Sequence, residues 1–198
     1  SQIENMEKTV TKWAQIGLIN LTIVALLGSI LRYKIAFSLP FIQQKHLLHG
    51  HSHFAFAGWV TQILMALILY DISKEVGVNL VKKYKKVLYA NLIFAYSMLI
   101  TFPIQGYGLY SIISSTLSFF VFYWFAYIIF SEIKQSKKNR ISFYWYKASL
   151  ILGIISSIAA FALAFFIATL YKDQNAYLLS IYGYLHFQYN GWFLFTCI

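Results

Sequence analysis

The stretch HLLHGHSHFAFAGW, residues 46–59, places four histidines at the start of a long apolar run. His46, His49, His51 and His53 fall within eight positions. Ionisable side chains are costly inside a membrane, and those found there usually serve a function. The first question is therefore whether the apolar run that follows them crosses a membrane.

The composition is that of an integral membrane protein. Of the 198 residues, 60% are hydrophobic and only 11% are charged, whereas a soluble domain carries about 25% charged residues. Apolar runs of about 20 residues, enough to cross a hydrocarbon core of about 30 Å, recur along the chain. They predict an all-α protein with six transmembrane helices, at about 11–32, 47–70, 87–104, 108–131, 144–170 and 176–198.

The six predicted spans form a single transmembrane domain over residues 1–198. No soluble domain, linker or internal repeat is evident. The chain starts without a methionine and stops at Ile198, inside an apolar span. We therefore expect it to be the N-terminal part of a longer protein, whose further helices or other membrane subunits pack against it.

The 16 basic residues are distributed unevenly between the two sides of the predicted bundle. Twelve lie before the first span, between spans two and three, or around the connection of spans four and five. The other four are Arg32, Lys34, Lys45 and Lys172. Because basic residues accumulate in cytoplasmic loops, this asymmetry predicts a cytoplasmic N-terminus. The basic loops are expected to contact anionic membrane lipids, and the absence of a recognition module excludes a nucleic-acid partner.

This orientation places the histidine cluster at the outer end of span two. At 100° per residue, His46, His49 and His53 share one helical stripe, and His51 points to the opposite side. Span six also enters from outside, and His186 lies about 16 Å beyond Asn175 along its helix. Neutral imidazole is a common ligand of haem iron, copper and zinc. The histidines therefore indicate a cofactor or metal site.

Several other kinds of chemistry are excluded. The sequence has no phosphate-binding glycine loop, no HExxH motif and no paired carboxylates for acid–base catalysis. Its single cysteine, Cys197, rules out a disulfide framework and a cysteine-based metal site. A Ser–His–Asp hydrolase would lack its buried carboxylate, because Asp71 and Asp173 lie at the predicted membrane surfaces.

Three segments together resemble one known family. LLGSILRYKIAFSLP, residues 26–40, resembles the end of the first helix in the catalytic subunit of haem–copper oxidases, a superfamily that includes the nitric oxide reductases. In that family the second helix opens at the outer side with a histidine that binds the low-spin haem, and HGHSHFAFAGW occupies this place. The sixth helix carries a histidine ligand of the active-site metal, and YLHFQYNGWF, residues 184–193, occupies that place.

The resemblance implies a fold, cofactors and roles for particular residues. The chain would form the first six helices of a twelve-helix bundle in a bacterial cytoplasmic membrane. His53 or His51 would be the axial ligand of a low-spin haem, His49 would guard the outer edge of the pocket, and Arg32 would lie beside the polar substituents of the haem. His186 would be a metal ligand. A second haem with copper or iron would need ligands from residues beyond this chain, and an electron-donor protein would be a partner.

Three function classes remain open at this point. The first is a redox enzyme of the oxidase or nitric oxide reductase type. The second is a haem- or copper-binding sensor or assembly protein, because the sequence also resembles nitric-oxide-response membrane proteins with a histidine-rich second helix. The third is a metal transporter that uses the histidines as entry ligands. The lack of carboxylates deep in the spans disfavours this third class.

The predicted orientation can be tested by cysteine labelling. With Cys197 replaced by serine, Lys83→Cys should react with a membrane-impermeant maleimide only when the cytoplasmic face is accessible. Asp173→Cys should react only from the outer face, because the basic asymmetry places these two loops on opposite sides. Labelling of both cysteines from the same side would contradict the orientation.

Overall fold

The computed structural model describes residues 2–136, 138–169 and 173–198, and every secondary-structure element in these ranges is helical. Nine α-helices and two π-helical turns follow one another along these ranges. They are α1 (Gln2–Ala36), α2 (Gln44–Phe54), π1 (Ala55–Thr61), α3 (Gln62–Val76), α4 (Leu80–Lys83), α5 (Lys85–Gln105), α6 (Leu109–Ser136), α7 (Ile141–Ala168), α8 (Gln174–His186), π2 (Phe187–Phe193) and α9 (Leu194–Cys197).

Five of the described helices are long and apolar enough to cross a membrane. They are Ile3–Ala36, Gln44–Val76, Lys85–Gln105, Leu109–Ser136 and Ile141–Phe166. Their exposed side chains include many large apolar ones, such as Leu18 and Leu26 on α1 and Ile93 and Ile100 on α5. Such a surface is expected to face lipid. Five long helices with such apolar surfaces are typical of an integral membrane protein.

The sixth predicted span does not belong to this group. Residues 176–198 fall on three consecutive helical segments, α8, π2 and α9, but these segments are not among the five that are long and apolar enough. Five helices qualify as membrane spans, and a sixth span at 176–198 remains a proposal.

The helices extend further than the hydropathy pattern predicts. The helix expected at 47–70 runs without a break from Gln44 to Val76, so the start of the expected loop 71–86 is helical. Its 33 residues correspond to about 50 Å at 1.5 Å per residue. A helix of this length continues into the polar interface, where Lys74 and Asp71 form an ion pair at 3.2 Å.

Local signals explain where the helices end. Gly77 ends α3 in the left-handed conformation (φ +70°), and its N–H bonds to the Ser73 carbonyl. Asp173 begins α8 by accepting hydrogen bonds from the N–H groups of Asn175 and Ala176. α5 ends at Gln105, and the following Gly106 has φ +59°.

The chain divides into two compact units, Ser1–Phe125 and Ala126–Ile198. In the first unit, α2 packs along α5, and α1 packs along α2, π1 and α3. In the second unit, α7 packs along α8, π2 and α9. The largest fully buried side chains of the first unit include Phe54, Met65, Ile68, Leu69, Ile72, Leu80, Leu88 and Phe102. Those of the second include Ile129, Phe143 and Trp192.

Close packing at Gly50 brings α2 against α5. A Cβ at Gly50 would lie 2.9 Å from both Cγ and Cδ of Pro103 and 3.7 Å from Cβ of Phe102. The two contacts with Pro103 are shorter than van der Waals distances and involve a rigid ring. The glycine is therefore what permits the histidine-bearing helix to lie against the end of α5.

Gly50→Leu is expected to destabilise the first unit by about 1–3 kcal/mol, because the added side chain overpacks this contact. Leu48→Phe is the matched control, since it adds bulk at an exposed position of the same helix. Thermal unfolding in detergent measures both. Equal unfolding temperatures for the two variants would contradict the close contact.

Candidate functional site

The four clustered histidines occupy successive turns of α2 and point to two sides of it. His46, His49 and His53 face α5 and the turn that follows it, whereas His51 faces α1. This is the division that a 100° helical period predicts. The cluster thus forms one three-histidine face and one isolated histidine on the other side.

His49 and His53 lie in a small aromatic cluster with Phe102 and Tyr107. The His53 ring stacks on Phe102 with 4.3 Å between centroids and an interplanar angle of 8°. The His49 ring meets Tyr107 edge-on at 4.6 Å, and Phe102 and Tyr107 contact each other at 5.3 Å. Because Phe102 is fully buried, it forms a fixed apolar wall against one face of His53.

His46 lies at the N-terminal end of the same face, against the turn between α5 and α6. A Cβ at Gly106 would lie 2.5 Å from Nε2 of His46. The left-handed backbone and the missing side chain of Gly106 are therefore both needed here. The glycine that ends α5 also makes room for the imidazole.

His51 packs on α1. Its Cε1 would be 3.3 Å from a Cβ at Gly28, so its ring lies close to the α1 backbone. Arg32 follows Gly28 by four residues, or about 6 Å along α1, and its side chain is exposed. Arg32 is therefore on the part of α1 that adjoins His51, one turn beyond the contact.

Three of these imidazoles have a buried ring nitrogen without a hydrogen-bond partner. The atoms are Nδ1 of His46, Nε2 of His49 and Nδ1 of His51. A buried polar group without a partner costs about 1–3 kcal/mol, and three on neighbouring turns are unusual. Such nitrogens either destabilise the fold or mark places where a ligand supplies the missing hydrogen-bond or coordination partner.

A π-helical turn begins two residues after His53. π-Helical turns inside α-helices are rare and often lie at functional sites. Here Asn20 of α1 donates a hydrogen bond to the Gly58 carbonyl, and Asn91 of α5 donates to the Ala57 carbonyl at 2.9 Å. Tyr96 donates to Asn20 Oδ1 at 2.7 Å. These side chains hold the helix in place just below the histidines.

His186 lies in the second compact unit, at the end of α8. Its ring is exposed, and Nδ1 is 3.3 Å from Nδ2 of Asn190. The neighbouring Gln188 accepts a hydrogen bond from Ser156 of α7 at 3.2 Å. His186 is thus contacted by an amide, whereas His53 is stacked on an aromatic ring.

The structure brings together only part of the predicted site. His49 and His53 share one aromatic environment, and His46 lies on the same face. His51 is on the other side of α2. Within the described ranges, no group of three or more His, Cys, Asp or Glu side chains could hold a metal ion.

Several residues of this site are missed by sequence reasoning. Phe102, Tyr107 and Gly106 lie about 50 residues from the histidines, and nothing in their local pattern marks them. Asn20 and Asn91 do carry a signal. They are amides within apolar spans, and they are almost fully buried in the structure.

Comparison with known proteins identifies no relative. No family model, no curated protein and no solved structure matches this chain.

Asn20→Leu is expected to lower the free energy of unfolding by about 1–3 kcal/mol, since it leaves the Gly58 carbonyl and the Tyr96 hydroxyl without their partner. For a chain of this length, this corresponds to a fall in Tm of about 2–4 °C per kcal/mol. Asn5→Leu, at an exposed position of the same helix, should leave Tm unchanged. A wild-type Tm for Asn20→Leu would show that the π-turn does not depend on this amide.

Proposed function

We propose that the chain is a membrane redox protein that binds haem at the histidine-rich end of α2, similar in kind to the catalytic subunit of a terminal oxidase or nitric oxide reductase. The observation that carries this proposal is the cluster of buried imidazole nitrogens without partners beside His53. Their chemistry and their surroundings both fit a haem pocket.

The donor set fits haem because imidazole is its usual axial ligand. His53 is the first candidate, since Phe102 fixes its ring plane by stacking at 4.3 Å. His51 on the α1 side is the alternative, and its buried Nδ1 lacks a partner. A ligating imidazole needs a partner at its second nitrogen to fix the ring.

The neighbouring residues would complete the pocket. His49 and Tyr107 lie at the edge of the aromatic cluster, where their packed rings would limit access of water. Arg32, one turn beyond the contact of α1 with His51, would supply the positive charge that pairs with the acidic substituents of a haem held on that side. Bound haem iron would supply reversible one-electron exchange. His186 would hold a separate metal ion.

The remaining parts of the proposal follow from the same resemblance. The protein would lie in a bacterial cytoplasmic membrane with its N-terminus in the cytoplasm. It would receive electrons from a donor protein. A second haem with copper or iron would require ligands from outside this chain.

One observation favours a second candidate function, a haem- or copper-binding sensor or assembly protein without turnover. Across residues 2–136, 138–169 and 173–198, the histidines, the cysteine and the carboxylates form no set of three around a possible metal position. A single haem held by α2 would suffice for sensing, whereas oxygen or nitric oxide reduction would need a second metal centre.

Single alanine substitutions test the proposal. His53→Ala or His51→Ala, whichever removes the axial ligand, should abolish the low-spin haem spectrum of the purified native protein. His186→Ala is the matched control, and it should preserve that spectrum while removing bound metal or activity. Visible absorption with and without dithionite is the measurement. Survival of the haem spectrum in both span-two variants would contradict the assignment.

A further inference from the structure

A groove lies between the first turns of α1 and the short helix α4. It has a volume of about 800 Å³ and is open to the surface of the first unit. Its lining residues are all polar or charged. They are Glu4, Asn5, Glu7, Lys8, Thr9, Thr11, Lys12 and Gln15 of α1, and Lys82 of α4. None of them belongs to the histidine-rich site on α2.

Asn79 holds α4, and with it Lys82, against α1. The side-chain nitrogen of Asn79 donates a hydrogen bond to Oγ1 of Thr9 at 3.2 Å, and its Oδ1 accepts one from the N–H of Lys82 at 2.9 Å. Leu80 and Val81 of α4 are buried in the first unit. The backbone of Lys82 is therefore fixed at the groove by packing and by hydrogen bonds.

The positive charge of the groove exceeds its negative charge. Glu4 forms an ion pair with Lys8 at 2.6 Å. Among the described lining residues this leaves Lys12 and Lys82, which are both exposed, and one further carboxylate, that of Glu7. Lysine ammonium groups form charge-assisted hydrogen bonds with phosphate oxygens. The groove is therefore suited to a ligand with a single negative charge.

The face of α1 that carries Lys12 continues into an apolar surface. At 100° per residue, Lys12, Ile19 and Leu26 lie within about 40° of one another around the helix. Ile19 and Leu26 are each 59% exposed. Ile19 lies about 10 Å beyond Lys12 along the helix axis, and Leu26 lies about 10 Å further on. An exposed lysine thus stands at one end of an exposed apolar stripe.

An aromatic pair marks the level at which this change of polarity occurs. Trp13 directly follows Lys12, and its ring meets that of Tyr89 on α5 with 4.9 Å between centroids. Tyr89 is 51% exposed. Tryptophan and tyrosine are enriched where membrane helices pass from the hydrocarbon to the headgroups. The pair therefore indicates that the groove lies at the level of the lipid headgroups.

A lipid fits both parts of this surface, the charged groove and the apolar stripe. Inorganic phosphate would use only the lysines. An acidic peptide would leave the exposed side chains of Ile19 and Leu26 uncovered. An ethanolamine headgroup would add a positive charge to a groove that already has a surplus of it. These comparisons favour a phospholipid whose headgroup is anionic.

We propose that the groove between α1 and α4 binds one anionic phospholipid. Lys12 and Lys82 contact its phosphate, and an acyl chain lies along Ile19 and Leu26. General attraction of basic loops to a membrane depends only on their total charge, whereas this site depends on two particular lysines. The inference is independent of the proposed function, because it involves none of the histidines.

The test is the binding of fluorescent phosphatidylglycerol to the purified full-length protein in an uncharged detergent. K12Q, K82Q and K12Q/K82Q remove the proposed phosphate contacts, and K12R/K82R retains their charge. The matched control is K45Q/K134Q, which removes two exposed lysines that do not line the groove. Thermal unfolding without added lipid verifies that each variant is folded.

Each single lysine substitution should weaken phosphatidylglycerol binding about fivefold, and the double substitution about 25-fold, from the usual contribution of one basic residue beside anionic lipid. K12R/K82R and K45Q/K134Q should bind like the wild type. E7Q should bind more tightly than the wild type, because it removes a negative charge beside the phosphate.

Several results would overturn the proposal. Equal weakening in K12Q/K82Q and K45Q/K134Q would show attraction by total charge without a site, and wild-type binding by K12Q/K82Q would show that the groove is not used. Tighter binding of phosphatidylethanolamine than of phosphatidylglycerol, with E7Q weakening it, would contradict the preference for an anionic headgroup. Displacement of the lipid by inorganic phosphate or by a glutamate-rich peptide at equal concentration would contradict the assignment to a lipid.

Discussion

The arrangement of the first unit depends on burying imidazoles at the end of a membrane helix. Nδ1 of His46, Nε2 of His49 and Nδ1 of His51 are all buried without partners. Each would cost about 1–3 kcal/mol if it stayed so. The surrounding packing keeps these rings in place. Gly28 makes room for His51, Gly106 makes room for His46, and the Tyr107 ring packs against His49. A ligand that supplies the missing partners would turn this cost into binding free energy.

The second constraint concerns the backbone below the histidines. In hydrocarbon, every backbone polar group must be satisfied within the protein, and a π-turn disturbs the regular ladder of the α-helix. Asn20 and Asn91 bind the carbonyls of Gly58 and Ala57, so the turn is supported from two neighbouring helices. The amides of these two spans therefore connect the fold to the site, because they fix the helix that carries the histidines.

The sequence was sufficient to predict the features that repeat regularly. Hydropathy predicts the helical class and five helices that are long and apolar enough to cross a membrane. A 100° period predicts that His49 and His53 share a face opposite His51. Hydropathy does not predict the helical residues from Asp71 to Val76, because it detects only the apolar core of a helix. The backbone hydrogen bonds of that helix continue into the polar interface. The contacts of His53 with Phe102 and of His46 with Gly106 depend on how two helices pack, and no local pattern encodes that.

The two π-turns illustrate a different limit. Helical periodicity assumes 3.6 residues per turn, so it contains no signal for a turn that holds an additional residue. The structure places π1 at Ala55–Thr61 and π2 at Phe187–Phe193, shortly after His53 and His186.

The haem content of the native protein tests the central claim most directly. The protein would be purified from its membrane under haem-sufficient growth, and its haem would be quantified as the pyridine complex beside the protein concentration. The account predicts stoichiometric haem with a low-spin spectrum that changes on addition of dithionite. A protein that is folded, lacks haem and fails to take it up when haem is added would contradict it.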